Sequence, residues 1–271
     1  MRIKIWGCRG SIPSPGADTS RYGGNTTCVE MRLADGSLVI IDAGSGIRNL
    51  GRELVRQKNP QRIHLLLTHA HWDHLQGFPF FLPAFQAACT IQVWGGPRPA
   101  GELRRFLQHQ LEPPYFPVKF TSLPASIRFT RQSDSELRLG DTRIEAIPLT
   151  HPNGGYGFRF SEGAKTFVYL TDNELGHDHP GGLSTAKYAE LCGGADLLLH
   201  DAQYTEEEYR ITRGWGHSTF TAAEELGRAA QVRRFGMIHH DPQHTDLELD
   251  RILARRRVEC FGVTEGMEIQ V

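Results

Sequence analysis

The sequence has no surplus of charge of either sign: 30 Lys and Arg stand against 31 Asp and Glu in 271 residues. A surface that grips long nucleic acid ordinarily shows a basic excess, because phosphate neutralisation dominates that affinity. Its absence favours small or compact substrates. The longest basic run, Arg255-Arg256-Arg257, is three residues and reads as a solvated helix end. Cysteine is scarce too. Cys8, Cys28, Cys89, Cys192 and Cys260 are odd in number, scattered, and never at Cys-x-x-Cys spacing. That excludes a disulfide framework and a thiolate zinc knuckle, and leaves small buried thiols. Long apolar runs are missing as well. The longest, Phe78 to Phe85, is broken by Pro79 and Pro83 and falls far below the roughly 20 residues that span a bilayer. No secretory signal is visible in Met1-Arg2-Ile3-Lys4-Ile5-Trp6-Gly7, so a cytoplasmic protein without a membrane partner is expected.

An apolar fraction of 39% and a charged fraction of 23% suit a globular chain that folds as one domain over residues 1–271. Short β-type runs dominate: Arg2 to Trp6, Thr27 to Leu33, Leu38 to Ile41, Ile63 to Leu67, Thr90 to Trp94, Arg143 to Ile147, Tyr156 to Phe160, Thr166 to Leu170, Asp196 to Leu199 and Phe235 to Ile238. Helices fit Gly46 to Lys58, Pro99 to Gln110, Thr185 to Leu191 behind a Ser184 cap, Thr219 to Ala230 and Thr245 to Arg257. Strands in groups with fewer helices predict two sheets packed face to face, helices outside. Phe78 to Phe85 reads as the core of a helix or as an apolar wall, core packing being the commoner role. Pro113, Pro114 and Pro117 mark an irregular surface segment.

Histidine is the unusual count, at 13. The apolar run Ile63-His64-Leu65-Leu66-Leu67 leads into Thr68-His69-Ala70-His71-Trp72-Asp73-His74. His69, His71, Asp73 and His74 are four metal-ligand types within six residues, directly after a buried strand. Imidazole and carboxylate suit zinc, manganese or iron. His-x-His puts two rings on one side of an extended segment, and a turn beginning at Asp73 sends the next pair elsewhere. One loop can thus serve two metals. His64 and His109 stand alone and read as filler. Asp42 reads as a turn-former or a partner of ligands rather than a ligand.

This loop, followed by Gly77, resembles the His-x-His-x-Asp-His signature of the metallo-β-lactamase superfamily. Gly7-Cys8-Arg9-Gly10-Ser11, Gly23-Gly24-Asn25-Thr26 and Asp42-Ala43-Gly44-Ser45-Gly46 are similar to glycine-rich segments of its phosphodiesterase-like branch. That branch holds tRNA 3′-processing endonucleases, cyclic-nucleotide phosphodiesterases and phosphonate-pathway phosphodiesterases. The resemblance implies an α+β fold, the four-layer αββα sandwich. It implies that His69, His71 and His151 bind one divalent ion, that Asp73, His74 and His239 bind a second, and that Asp172 bridges them. Zinc comes first as the metal, with manganese or iron as alternatives. His240 is the rival of His239, since adjacent strand residues face opposite ways. Gly216-His217-Ser218-Thr219 resembles the branch's segment near the scissile phosphate, making His217 the candidate proton donor and Asp201 its orienting partner. Asp73 belongs with them at the reacting centre. His177-Asp178-His179 is ligand-rich but lies among glycines and prolines, and reads as an exposed loop.

The implied activity is a metal-dependent phosphodiesterase, working by attack of a metal-bridging hydroxide. A small phosphodiester partner such as a cyclic nucleotide or cyclic ribose phosphate suits the neutral charge. So does the lack of a glycine-, proline- and base-rich arm between Asp172 and His217. No long nucleic acid is expected, and a homodimer stays open. The alternatives are an RNA 3′-end endonuclease, a thioester or lactone hydrolase, and a non-hydrolytic di-iron protein on the same fold.

Overall fold

The computed structural model describes residues 1–57, 61–130, 135–256 and 260–271. The chain forms two seven-stranded sheets. The first contains β1 (Arg2–Gly7), β2 (Cys28–Arg32), β3 (Leu38–Ile41), β4 (Arg62–Leu66), β5 (Thr90–Trp94), β6 (Ser126–Phe129) and β14 (Glu268–Gln270), in the order β14-β1-β2-β3-β4-β5-β6. The second contains β7 (Glu136–Leu139), β8 (Thr142–Pro148), β9 (Tyr156–Glu162), β10 (Lys165–Leu170), β11 (Leu197–Asp201), β12 (Phe235–Ile238) and β13 (Cys260–Gly262), in simple sequential order.

Alternation along the strands dictates the layering. Ile3, Ile5, Val29 and Met31 of the first sheet pack on Phe158, Phe160, Phe167, Tyr169, Leu197 and Leu199 of the second. The opposite faces are covered by helices. α1 (Ile47–Arg56) and α2 (Ala100–His109) bury Leu50, Leu54, Leu103 and Leu107 against Ile40, Ile63 and Val93. α3 (Thr185–Cys192), α5 (Phe220–Ala229) and α6 (Asp246–Leu253) bury Tyr188, Phe220, Leu226 and Leu249 against Val168, Leu198 and Met237. The result is the expected αββα sandwich.

The differences from expectation have local causes. α1 stops at Arg56, and Lys58 lies outside the described residues. α6 stops at Leu253; Arg255 lies in the turn beyond it, and Arg257 again lies outside. β6, β7, β13 and β14 were not anticipated, being three- or four-residue edge strands whose pattern is too short to stand out. The helix α4 (Glu206–Thr212) was also missed. Phe78 to Phe85 forms two 3₁₀ turns rather than a helix, Pro79 and Pro83 sitting at their starts. Phe78 and Phe81 are core, while Phe80 and Leu82 are exposed.

What positions the site is strand direction. β3 and β4 run parallel, as do β10, β11 and β12. β8 is antiparallel to β9 and β9 to β10, so β8 points the same way as β10. Asp42, His69, His151, Asp172, Asp201 and His239 therefore all lie at or just past carboxyl ends of strands, at one end of the sandwich.

Candidate metal centre

Three of these strand-end residues leave the extended conformation for the left-handed region: Asp42 at φ 61°, Asp172 at φ 51° and His239 at φ 67°. Such backbone costs of order 1–3 kcal/mol each for residues other than glycine, and collects where side chains must be aimed. Here it turns all three toward a common point.

Two donor groups form around Asp172. His69, His71, His151 and Asp172 bring one ligand atom each to within 4.8 Å of one another, and so do Asp73, His74, Asp172 and His239. His71 Nδ1 lies 3.1 Å from His151 Nε2. Asp73 Oδ2 lies 3.1 Å from His239 Nε2 and 3.3 Å from His74 Nε2. The two oxygens of Asp172 divide between the groups. Oδ2 is 3.5 Å from His69 Nε2 and 3.9 Å from His151 Nε2, whereas Oδ1 is 3.2 Å from both His74 Nε2 and His239 Nε2.

The outer nitrogens fix which atom faces inward. Nδ1 of His74 donates to Asp42 Oδ2 at 2.8 Å, that of His151 to the Gly216 carbonyl at 2.9 Å, and that of His239 to Gln203 Oε1 at 2.9 Å. His69 Nδ1 pairs with the Thr68 hydroxyl at 3.1 Å, and Thr68 itself donates to Asp42. Each ring so held turns Nε2 inward, the atom that a metal would take with its proton released. Nε2 of His69 and of His74 are buried with no hydrogen-bond partner among the described residues. Buried polar atoms without partners are rare in folded proteins, and a cation would satisfy both. The donors are nitrogen and oxygen only; four of the cysteines are buried and none joins either group. The residues fit divalent ions.

The electrostatics agree. Burial opposes charge on His74 and His239, yet Asp172 and Asp73 overcome it, raising His239 to about 9 and His74 well above its ordinary value. Burial equally opposes ionisation of Asp172 and Asp73, but the surrounding imidazoles hold both well below the usual carboxylate range. The second group thus sets two carboxylates against two imidazoles that hold protons, which a cation would replace. The first differs: burial lowers His151 to about 3 and His69 well below 6.5, leaving neutral imidazoles.

Beside both groups sits a pair. Asp201 Oδ2 is 2.7 Å from His217 Nδ1, and its Oδ1 accepts the Ser218 N–H at 2.7 Å. The His217 ring stacks on His239 at 4.8 Å and meets His151 edge-on at 5.4 Å. Burial raises Asp201 well above the carboxylate range and lowers His217 to about 4. The 2.7 Å contact is a hydrogen bond between Asp201 Oδ2 and His217 Nδ1. Asp172, Asp201, His217 and His239 also bring one ligand atom each to within 4.8 Å of one another, but Asp201 and His217 already bond each other.

The structure therefore brings together His69, His71, Asp73, His74, His151, Asp172, His239, His217 and Asp201. It turns His240 away: its Nε2 meets the Val263 carbonyl at 2.8 Å and its ring lies against Tyr22. Asp42, expected as a turn-former or a partner of ligands, bonds His74. His179 bonds Glu174 at 2.7 Å and, with His177, stays outside the donor groups found among the described residues. His109 pairs with Glu112 on the surface. Sequence reasoning missed Gln203, Glu174 and Ser11. Ser11 N–H donates to Asp73 Oδ2 at 2.9 Å. Gln203 and Glu174 lie two residues past Asp201 and Asp172, the alternation that returns a side chain to the same side; that was the available signal.

The model of the beta-lactamase superfamily domain matches residues 38–240. Ribonuclease Z of Haloferax volcanii is 25% identical over all of this chain and 95% of its own length. Among solved structures, the short form of human tRNase Z superposes with a TM-score of 0.67 at 20% identity, covering 100% of this chain and 99% of its own. A diphosphatase from the PhnP family reaches 0.69 at 18% identity, covering 100% of this chain and 97% of its own. With this match, this fold and this donor set, the chain belongs to the metallo-β-lactamase superfamily and is one of its metal-dependent hydrolases.

Proposed function

We propose that the chain is a dinuclear phosphodiesterase that cleaves ribonucleotide phosphodiesters, with RNA 3′ ends as the first substrate class. One observation carries the reaction type: two nitrogen–oxygen donor groups share Asp172 beside a hydrogen-bonded Asp201–His217 pair. His69, His71 and His151 would hold one ion, Asp73, His74 and His239 the other, and Asp172 would touch both. Zinc is the first choice for such donors. Two divalent ions there would lower the pKa of water toward neutrality and neutralise charge on the phosphoryl group.

The protein's own part is the proton. The pair acts as an acid in the form that carries two protons, one between Asp201 Oδ2 and His217 Nδ1 and one on His217 Nε2. That hydrogen is available to the leaving oxygen as the P–O bond breaks. Asp201, held by the Ser218 N–H, keeps the ring oriented.

The RNA reading rests on the full-length relatives named ribonuclease Z, and it displaces the cyclic-nucleotide reading from first place. A specific observation keeps the smaller substrates as a second reading. The alignment to the Haloferax volcanii relative runs to 315 positions against 271 residues here. About 44 positions thus belong to the relative alone.

Metal analysis with a substrate panel tests the proposal: an RNA with a 3′ extension, nucleoside 2′,3′-cyclic phosphates, a cyclic ribose phosphate and a lactone. Two ions per chain and cleavage of the RNA are expected. Cleavage of the cyclic phosphates alone would move the second reading to first. Turnover of the lactone alone would overturn phosphodiester chemistry.

A further inference from the structure

The chain contains four tryptophans, and two have clear structural duties. Trp94 is buried beside Phe158. Trp6 donates its indole N–H to Glu30 at 2.9 Å and carries Lys4 over its ring. Trp72 and Trp215 are different. They are 73% and 62% exposed, and neither has a ring or hydrogen-bonding partner for its indole among the described residues.

Both stand on rigid turns beside the metal centre. Trp72 separates His71 from Asp73, and its carbonyl accepts from Leu75 at 2.9 Å and Gln76 at 2.7 Å. Trp215 lies between Gly214 and Gly216, whose N–H groups both donate to Glu174, at 2.7 and 2.8 Å. The Gly216 carbonyl accepts from His151, and His151 contacts His71. Trp72 thus follows His71 in the chain, and Trp215 precedes the glycine whose carbonyl holds His151. His71 is the one residue of the seven proposed ligands that is not fully buried, so solvent reaches the centre on this side.

Glu174 strengthens the case. Its carboxylate is buried and accepts from Tyr209, His179, Gly214 and Gly216. Burying a carboxylate is costly unless it is fully satisfied. Four donors converge here to fix a turn whose one large side chain stands in solvent. An unpartnered indole on a hydrogen-bonded turn is an exposed flat surface that a planar ligand can cover. Whatever covers it during turnover must also leave the centre open, which favours the substrate itself over a protein partner.

We infer that Trp72 and Trp215 form a stacking site for the base next to the scissile phosphate. The enzyme then selects nucleotide phosphodiesters over base-free sugar phosphates. This deepens the phosphodiesterase reading and rests on it.

The test uses Trp72→Ala and Trp215→Ala in the metal-loaded protein, with Trp→Phe at each position as the conservative variant. Base stacking lost to alanine should raise KM for a nucleoside 2′,3′-cyclic phosphate about tenfold, with kcat nearly unchanged and phenylalanine restoring most of it. For a base-free cyclic ribose phosphate, kcat/KM should hold. Binding of a nucleoside monophosphate should quench indole fluorescence in the unsubstituted protein, and less in each alanine variant. Equal losses on both substrates, or none on either, would overturn the stacking site. So would a drop in sedimenting mass on substitution, which would place the indoles between two copies of the chain. If the unsubstituted protein hydrolyses neither of these nor an RNA with a 3′ extension, the phosphodiesterase reading falls. The stacking site then falls with it only if the monophosphate leaves the fluorescence unchanged.

Discussion

Asp172 places its two carboxylate oxygens against different halves of the centre, 3.2 Å from His74 and His239 on one side and 3.5 Å from His69 on the other. Asp172→Asn keeps the volume and removes the charge that would lie between two cations. Since changing even an outer partner of a ligand weakens metal binding about 10–100-fold, at least a tenfold loss at one site is expected, with turnover falling alongside. Metal titration followed by spectroscopy checks it, and two tightly bound ions with near-normal activity would assign the bridge elsewhere. His217 separates proton transfer from metal binding. His217→Ala should keep both ions and slow hydrolysis by about 10²–10⁴-fold, the usual worth of a positioned acid. The loss should shrink for nitrophenolate, which leaves without protonation; equal losses for good and poor leaving groups would remove the acid role. These residues were legible because they sit at strand ends with distinctive chemistry. The choice of His239 over His240 was not. It depends on a left-handed φ of 67°, which swings the ring into the centre, and no sequence pattern announces that.

At the level of elements, β11 ends in His200 and Asp201, both fully buried. His200 donates through Nδ1 to the Asp201 carbonyl at 2.6 Å, while Nε2 faces the Asn173 amide at 3.0 Å. Burial lowers this histidine to about 4. In the unfolded chain it titrates near 6.5, so between pH 6.5 and 4 the unfolded state binds more protons. Stability is therefore lost as pH falls through that window, by up to about 1.4 kcal/mol per pH unit from this residue. Denaturant unfolding across pH 7 to 4.5 measures the decline, and His200→Gln should make it shallower; an identical slope would place its source elsewhere. The long strands and amphipathic helices were readable from periodicity, and the Ser184 cap holds, accepting from Lys187. α4 was missed although its signal was present. Thr205 and Glu208 make a capping box, as Thr245 and Glu248 do for α6. The edge strands lacked any such marker, because three or four residues cannot show a period.

Across the whole molecule, charges of opposite sign are interleaved rather than sorted. Arg143 bridges Glu136 and Glu145, Arg159 reaches Glu145, Lys165 and Arg233 share Asp196, and Arg21 pairs with Asp250. Most are exposed pairs, worth little to stability, but they cancel the long-range field that would hold a polyanion. Substrate recognition then falls to the centre, where proposed cations meet one phosphoryl group, and to the two indoles, which are neutral. The consequence is a weak dependence on salt. For single-stranded RNA the logarithm of affinity falls with the logarithm of salt by about 0.7 per phosphate neutralised, so one or two phosphates predict a roughly three- to sevenfold rise in KM from 50 to 200 mM salt. KM for a short RNA carrying a 3′ extension, measured across that range at fixed metal concentration, tests this. A rise beyond about a hundredfold would require some five or more neutralised phosphates. It would show that the chain holds an extended strand along a basic track and not by its end alone.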